Sequence, residues 1–142
     1  MKVTGTDGKE YTVEPGANLS GANLSGADLS DADLWRANLR DTNLSDTNLN
    51  DANLWRANLR GANLIRTNLS GANLWRANLR EANLRDTNLS DANLSGADLR
   101  EANLIRADLS GTNLSDADLS GAVWNDETVF PEGFEIPEKS GT

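Results

Sequence analysis

The sequence predicts an all-β fold, a four-sided parallel β-solenoid (β-helix) with about twenty residues per coil and just over five coils. Three observations lead to this prediction. Leucine recurs at every fifth position from Leu19 to Leu119, and Trp124 takes the same phase once more. A small residue, Ala or Thr, stands two positions before each of them. Groups of identical residues also recur at every twentieth position.

The period of five excludes a regular helix or a flat strand. An α-helix turns about 100° per residue, so successive leucines would spread around its surface. A strand alternates its side chains, so an odd spacing would send them to opposite faces. A short extended segment with a bend at every fifth residue keeps each Leu and its small residue inside. Inward Thr hydroxyls then need partners, which we expect to be backbone carbonyls or each other.

The period of twenty identifies the coil. The heptapeptide LWRANLR begins at residues 34, 54 and 74, and Arg recurs at 40, 60, 80 and 100. Four bends of roughly 90° would close such a coil, with neighbouring coils about 4.8 Å apart. The second variable position holds Gly at several bends, which suits a positive φ, but Asp, Glu or Arg at others. We therefore expect type I turns at some corners.

The unbroken A(N/D)LXX run over residues 16–125 resembles the pentapeptide-repeat family. The resemblance implies a right-handed quadrilateral β-helix. Many members carry Phe at the central position, whereas this chain uses Leu until Trp124. Such regularity is also typical of a consensus or engineered sequence. The C-terminal segment is similar to the closing segment of cyanobacterial members.

Both ends lack the repeat and are predicted to cap the solenoid, because open coil ends expose backbone and apolar surface. Residues 1–15 predict a hairpin cap that turns at Asp7-Gly8. Residues 16–125 form the solenoid, and 126–142 a C-terminal cap and tail, loose from 137 to 142. Val129 and Phe134 keep the leucine phase. We expect them to cover the last coil with Phe130 and Ile136; the alternative is a dimer contact.

Composition disfavours an enzyme. The chain has no His and no Cys, which removes the commonest general base and metal ligand, and any disulfide. No glycine-rich phosphate loop interrupts the repeats. Asp31, Asp51 and Asp91 share a column that Gly71 interrupts, which favours a solvated face over a calcium site. We expect no catalysis, cofactor or metal. Lacking a signal peptide or an apolar span, the chain is predicted to be soluble, cytoplasmic and not bound to a membrane.

One surface stands out within an acidic chain of net charge −9. Trp recurs every twentieth residue with Arg directly after it, and a second Arg column lies on the adjoining face. This predicted strip is the candidate binding site and comprises Trp35, Trp55, Trp75, Arg36, Arg56, Arg76, Arg40, Arg60, Arg80 and Arg100. Stacked like charges attract counter-anions, and Trp and Arg are common in interface hot spots.

A structural interpretation of the same strip stays open. Trp could stack on Trp with Arg lying over it, and Asp41, Glu81 and Glu101 could neutralise the second Arg column. The leading functional hypothesis is a non-catalytic scaffold for a protein partner or for self-association. The alternative comes from the resemblance: some members mimic DNA and inhibit a type II topoisomerase such as gyrase. That requires a strongly negative surface, whereas residues 16–122 hold ten Arg against fourteen acids. Direct nucleic-acid binding is not expected.

Overall fold

A computed structural model describes residues 1–138; the remaining residues of the predicted loose tail, 139–142, lie outside the described part of the chain. Within it, two regular strands occur, β1 (Lys2–Thr4) and β2 (Glu10–Thr12). They pair antiparallel with Val3 opposite Tyr11. The repeats that follow form single-residue parallel bridges, because each side of the solenoid is too short for a longer strand. No helix among the described residues has the length and apolarity to cross a membrane.

All of these bridges except the last join residues that are twenty positions apart. They run from Asn18 paired with Asn38 to Asn103 paired with Val123, all parallel. In each, the following Leu amide donates to the carbonyl of the paired residue in the next coil, as from Leu39 to Asn58 at 2.7 Å. The Asn58 amide donates to Ala37 in the preceding coil at 2.9 Å. Four successive repeats therefore occupy one turn of the chain.

The interior is a stack of leucines, all buried from Leu19 to Leu119, with most of the alanines. Burying each Leu contributes about 1.5–3 kcal/mol. Five Thr replace Ala inside, and each hydroxyl donates to a backbone carbonyl at 2.6–3.0 Å. Thr67 and Thr87, for example, reach the carbonyls of Leu44 and Leu64 in the preceding coil. Backbone carbonyls are thus the partners of these hydroxyls.

Every corner of the repeat region has the same geometry, so the expectation of type I turns at some corners is wrong. The amide of each small residue bonds the carbonyl of the Leu three positions earlier, as from Ala37 to Leu34 at 3.0 Å. The residue before it has φ between 54° and 74° whether it is Gly, Asp, Glu or Arg, as in a type II turn. Corners stack with shared hydrogen bonds, such as Arg36 to Trp55 at 2.9 Å. A differently shaped corner would break them.

The N-terminal hairpin lies on the first coil. Gly5 packs so closely that a Cβ there would collide with the Asn23 carbonyl oxygen. The hairpin turn is closed by the Gly8 amide bonding Gly5 at 3.0 Å. Pro15-Gly16 then makes the first corner, with Gly16 at φ 71°.

The C-terminal segment differs from the prediction by one residue. Asp108 pairs with Val129, twenty-one positions on, so Val129 takes the outward Asn/Asp position and Phe130 the Leu position. Val129 and Ile136 are 48% and 52% exposed; both were wrongly expected to cover the last coil. Phe130 and Phe134 are half-buried against the core. The Phe130 ring lies 5.6 Å from the rings of Trp124 and Phe134.

Candidate binding edge of tryptophan and arginine

Three stacked corners place Trp and Arg side by side. In each, Trp is the first and Arg the second central residue of the turn between Leu and Ala. The Arg36 amide bonds the Trp55 carbonyl at 2.9 Å and the Arg56 amide bonds Trp75 at 2.8 Å. These bonds fix the corners in register and hold the side chains in one row. We call this row the Trp–Arg edge: Trp35, Arg36, Trp55, Arg56, Trp75 and Arg76.

The rings and guanidinium groups of the edge contact one another. Trp35 and Trp55 stack with centroids 5.0 Å apart and planes 3° from parallel. The Arg36 guanidinium lies 5.6 Å from the Trp55 centroid, and Arg56 lies 5.3 Å from that of Trp75. These are the contacts expected if the Trp and Arg side chains stabilise the solenoid by stacking on one another.

The row stops at the next coil, where the corner holds Ser95 and Gly96. With no ring above it, Arg76 lies instead over Trp75 in its own coil, at 4.8 Å. Its side chain also covers Gly96, where a Cβ would lie 3.0 Å from the Arg76 Cγ. Two guanidinium groups therefore share one indole at this end of the edge.

The edge offers hydrogen-bond donors and no acceptors from its side chains. Arg36, Arg56 and Arg76 are exposed, and none forms an ion pair with another residue of 1–138. The three indole N–H groups likewise have no acceptor in that part of the chain. Indole and guanidinium groups can only donate. The edge is complementary to groups that only accept, such as carboxylate or phosphate.

The second Arg column of the predicted strip is different, because every member faces an acid. Arg60 reaches Glu81 at 3.2 Å and Arg80 reaches Glu101 at 3.0 Å. Arg40 lies 3.6 Å from Asp41. The neutralisation anticipated for Asp41, Glu81 and Glu101 is present. The structure thus divides the ten predicted residues into an unpaired edge and a paired column.

Arg100, at the top of that column, makes the tightest pair. Its guanidinium holds Asp98 through two bonds of 2.8 and 2.7 Å. That hydrogen bonding holds the pKa of Asp98 below its usual value and raises the pKa of Arg100. Arg100 is therefore engaged on its own face of the solenoid.

Another edge was missed by sequence reasoning. It lies one corner further along the chain than the paired Arg column. There the second corner position alternates between Asp and Arg from coil to coil: Asp46, Arg66, Asp86 and Arg106. Arg66 bonds both oxygens of Asp46, at 2.7 and 3.1 Å, and Arg106 bonds Asp86 at 2.6 and 3.0 Å. These bonds lower the pKa of both carboxyl groups. The signal was the alternating sign at the coil period, and we call this the Asp–Arg edge.

The other surface features of the described residues give weaker indications of a binding site. The described residues hold no group of three or more acids placed to bind a metal ion, including the Asp31 column. A shallow groove at the C-terminal end lies between Leu119, Trp124 and Phe134 and is bordered by Asp118 and Glu138. Ser120 also lines it and donates a hydrogen bond to Asp118 Oδ1 at 2.6 Å, the same local contact that Ser70 and Ser90 make to Asn68 and Asn88 in the repeats.

Comparisons with known proteins agree with the repeat architecture. The family model for pentapeptide repeats matches eight copies, over residues 16–56, 47–86, 57–96 and 87–123. Comparison with curated proteins gave no significant match.

Several solved structures are similar. The pentapeptide repeat protein Rfr23 from the cyanobacterium Cyanothece 51142 is 36% identical; the match covers 82% of this chain and 90% of that one, with a TM-score of 0.63. A pentapeptide repeat protein from the Arabidopsis thaliana thylakoid lumen is 30% identical, covering 78% and 67%, with a TM-score of 0.52. HetL, involved in heterocyst differentiation regulation in Nostoc sp. PCC 7120, is 33% identical, covering 75% and 70%, with a TM-score of 0.46. The chain belongs to the pentapeptide-repeat family, whose members fold as right-handed quadrilateral β-helices.

Proposed function

We propose that this protein is a non-catalytic scaffold that binds a protein partner through the Trp–Arg edge. The observation that carries the proposal is a row of three exposed Arg, each next to a Trp ring and none in an ion pair with residues 1–138. Three like charges on neighbouring coils repel each other unless an anionic group lies between them. The Arg40, Arg60, Arg80 and Arg100 column, in contrast, supports the neighbouring face.

The architecture suits such a role. In this proposal, residues 16–125 form just over five coils of about twenty residues each. The hairpin of residues 1–15 caps the first coil, and residues 126–142 cap the last. The ladder of backbone hydrogen bonds makes the corners rigid, so partner binding requires little ordering of the scaffold. The absence of His and Cys from the sequence favours a non-catalytic role. We place the protein in the cytoplasm.

Mimicry of DNA, with a type II topoisomerase as target, is less well supported. A mimic needs a long negative surface, whereas the Trp–Arg edge and the paired Arg column supply seven of the ten Arg in the repeats. Strong inhibition in a gyrase supercoiling assay would reverse this ranking.

The test compares the parent with a variant that lacks the three rings, Trp35→Ser, Trp55→Ser and Trp75→Ser. Both are examined by light scattering and on an array of acidic, basic and neutral peptides, after circular dichroism has shown that both are folded. The matched control changes three first-corner residues of another edge, Ser70, Ser90 and Ser110, to Ala. We expect peptide binding to be lost in the Trp variant and kept in the control. If neither assembly nor binding changes in the Trp variant, the edge is only part of the ladder.

A further inference from the structure

We propose that the ligand of the Trp–Arg edge is an acidic peptide segment in the polyproline II conformation, with carboxylates three residues apart. This inference rests on the proposed function and specifies its partner. It follows from the donor chemistry of the edge, its spacing and the charge around it.

The chemistry follows from how each guanidinium is held. The guanidinium carbons of Arg36 and Arg56 lie 5.6 and 5.3 Å from the centroids of indole rings in the next coil. A cation–π contact takes up no N–H donor, so the guanidinium N–H groups are available and match a carboxylate in a two-bond fork. The indole N–H groups add further donors. A peptide carboxylate is the acceptor-only group that fits such a surface.

The spacing selects the conformation of the peptide. Rungs repeat once per coil, about 4.8 Å apart, in keeping with the 5.0 Å between the Trp35 and Trp55 rings. Arg36 and Arg76 are therefore separated by about 9.6 Å. A polyproline II helix has three residues per turn and rises about 3.1 Å per residue, so residues i and i+3 share one face about 9.3 Å apart. In a β-strand, residues i and i+2 share a face about 6.7 Å apart, which matches neither one coil nor two.

The surrounding charge favours a short acidic peptide over a nucleic acid. The same corner column carries exposed Asp116 two coils beyond Arg76. The neighbouring edge carries exposed Asp31, Asp51 and Asp91. A duplex, with one charge per about 1.7 Å of axis, would bring phosphates against these carboxylates. A segment with two acids covers only the three basic rungs.

Other surfaces do not compete for this ligand. Arg66 and Arg106 hold both oxygens of Asp46 and Asp86, and the Arg40 column is paired as described. Within residues 1–138, only the Trp–Arg edge stacks three Arg of which none forms an ion pair with an acid.

The test measures fluorescence anisotropy of labelled eight-residue Pro/Ala peptides with the whole protein. One probe carries Glu at i and i+3, a second carries Glu at i and i+2, a third has Gln in place of Glu, and a fourth ligand is oligo-dT. Protein variants are Arg36→Gln/Arg56→Gln/Arg76→Gln and the matched control Arg66→Gln/Arg106→Gln. Circular dichroism and melting show whether each is folded.

We expect the i, i+3 peptide to bind at least about tenfold more tightly than the Gln peptide, because hydrogen bonds to charged groups are stronger than those to neutral amides. It should also bind more tightly than the i, i+2 peptide, weaken with salt, and lose this preference in the triple Arg variant but not in the control. Equal binding of Glu and Gln peptides, or preference for oligo-dT, would overturn the inference. If the peptide array shows binding that depends on the Trp rings but not on acidic residues, this inference fails and the proposed function stands. If no ligand depends on the Trp rings, both fail.

Discussion

The Trp–Arg edge and the Asp–Arg edge share one backbone and differ in the order of their charges. At both, Arg occupies the second corner position with positive φ, for example 55° at Arg56 and 56° at Arg66. Twenty residues before Arg66 stands Asp46, which accepts both of its hydrogen bonds. Twenty residues before Arg56 stands Arg36, and neither finds an acid. At these two edges, the residue one coil away decides whether an Arg stabilises the solenoid or is available to a partner.

The first corner position reinforces this difference. On the Trp–Arg edge it is Trp, whose ring holds the guanidinium of the preceding coil by a cation–π contact. On the Asp–Arg edge it is Ser45, Ile65, Arg85 and Ile105 in turn. Ring faces hold Arg without neutralising it, whereas carboxylates hold and neutralise it. The same residue type is thus ordered in two ways with opposite consequences for binding.

The largest effect is expected when the Trp–Arg edge is given the alternating sign of the other edge. In Arg56→Asp, the new carboxylate stands to Arg76 as Asp46 stands to Arg66, so Arg76 becomes paired. Affinity for the acidic peptide, measured by anisotropy, should fall more than about tenfold. The same substitution at Arg66 serves as the control and should leave peptide affinity unchanged. Retention of full affinity in Arg56→Asp would show that the peptide binds elsewhere.

A second prediction concerns what the rings contribute to stability. Trp35 stacks on Trp55, but Trp75 is contacted by guanidinium groups. A double-mutant cycle with Trp35→Ser and Trp55→Ser should give a coupling of about 0.5–1.5 kcal/mol in urea unfolding. The matched cycle of Trp55→Ser with Trp75→Ser should give less. Equal couplings would mean that ring stacking does not distinguish the two ends of the edge.

A third substitution turns the Asp–Arg edge into a column of like charge. Asp86→Arg places three Arg in a row, at 66, 86 and 106, without Trp rings to hold them. The melting temperature should fall by about 2–4 °C at low salt and recover in about 1 M salt, where the Debye length is roughly 3 Å. Calorimetry at two salt concentrations measures this, with Asp86→Asn as the uncharged control. A loss that does not respond to salt would point to packing instead of repulsion.

The smallest effect is a dependence on pH that belongs to the Asp–Arg edge. The hydrogen bond from Arg106 lowers the pKa of Asp86 from 3.8, and the charges of Arg106, Arg85 and Arg66 act in the same direction. A lowered folded pKa means that the stabilisation is present above that unfolded value and is lost as pH falls through the folded one. The parent should therefore melt above Asp86→Asn near pH 6, and the difference should shrink below about pH 4. A difference that stays constant to about pH 2 contradicts this.

The interior was predictable because it obeys a short local rule. Leu19 to Leu119 are buried as expected, since one residue in five must point inward. Corner geometry was not predictable from single residues. Arg76 would disfavour a φ of 54° by itself, and the stacked hydrogen bonds of neighbouring coils impose it.

The register of the C-terminal segment and the ion pairs of the Arg side chains could not be predicted from the sequence, for different reasons. One extra residue between Trp124 and Phe130 shifts Val129 outward, and nothing local marks it, because the repeat code has already ended there. The acid lies about one coil away for Arg60 and Arg66, but within the same coil for Arg40 and Arg100. The sequence predicted that Glu81 could neutralise the second Arg column, but its contact with Arg60 at 3.2 Å depends on side-chain directions that periodicity does not define. Binding by the edge stays a prediction.

The twenty-residue register also constrains how such a chain can change in length. Inserting five residues would leave the interior intact, because Leu would again follow at the fifth place. It would, however, rotate all later corners by a quarter turn and separate Trp35 from Trp55. Inserting twenty would add one more rung and move nothing sideways. The interior therefore tolerates any insertion that is a multiple of five residues, whereas the surface rows tolerate only multiples of twenty. Duplication of a whole coil is thus the change in length that can extend a surface row while preserving it.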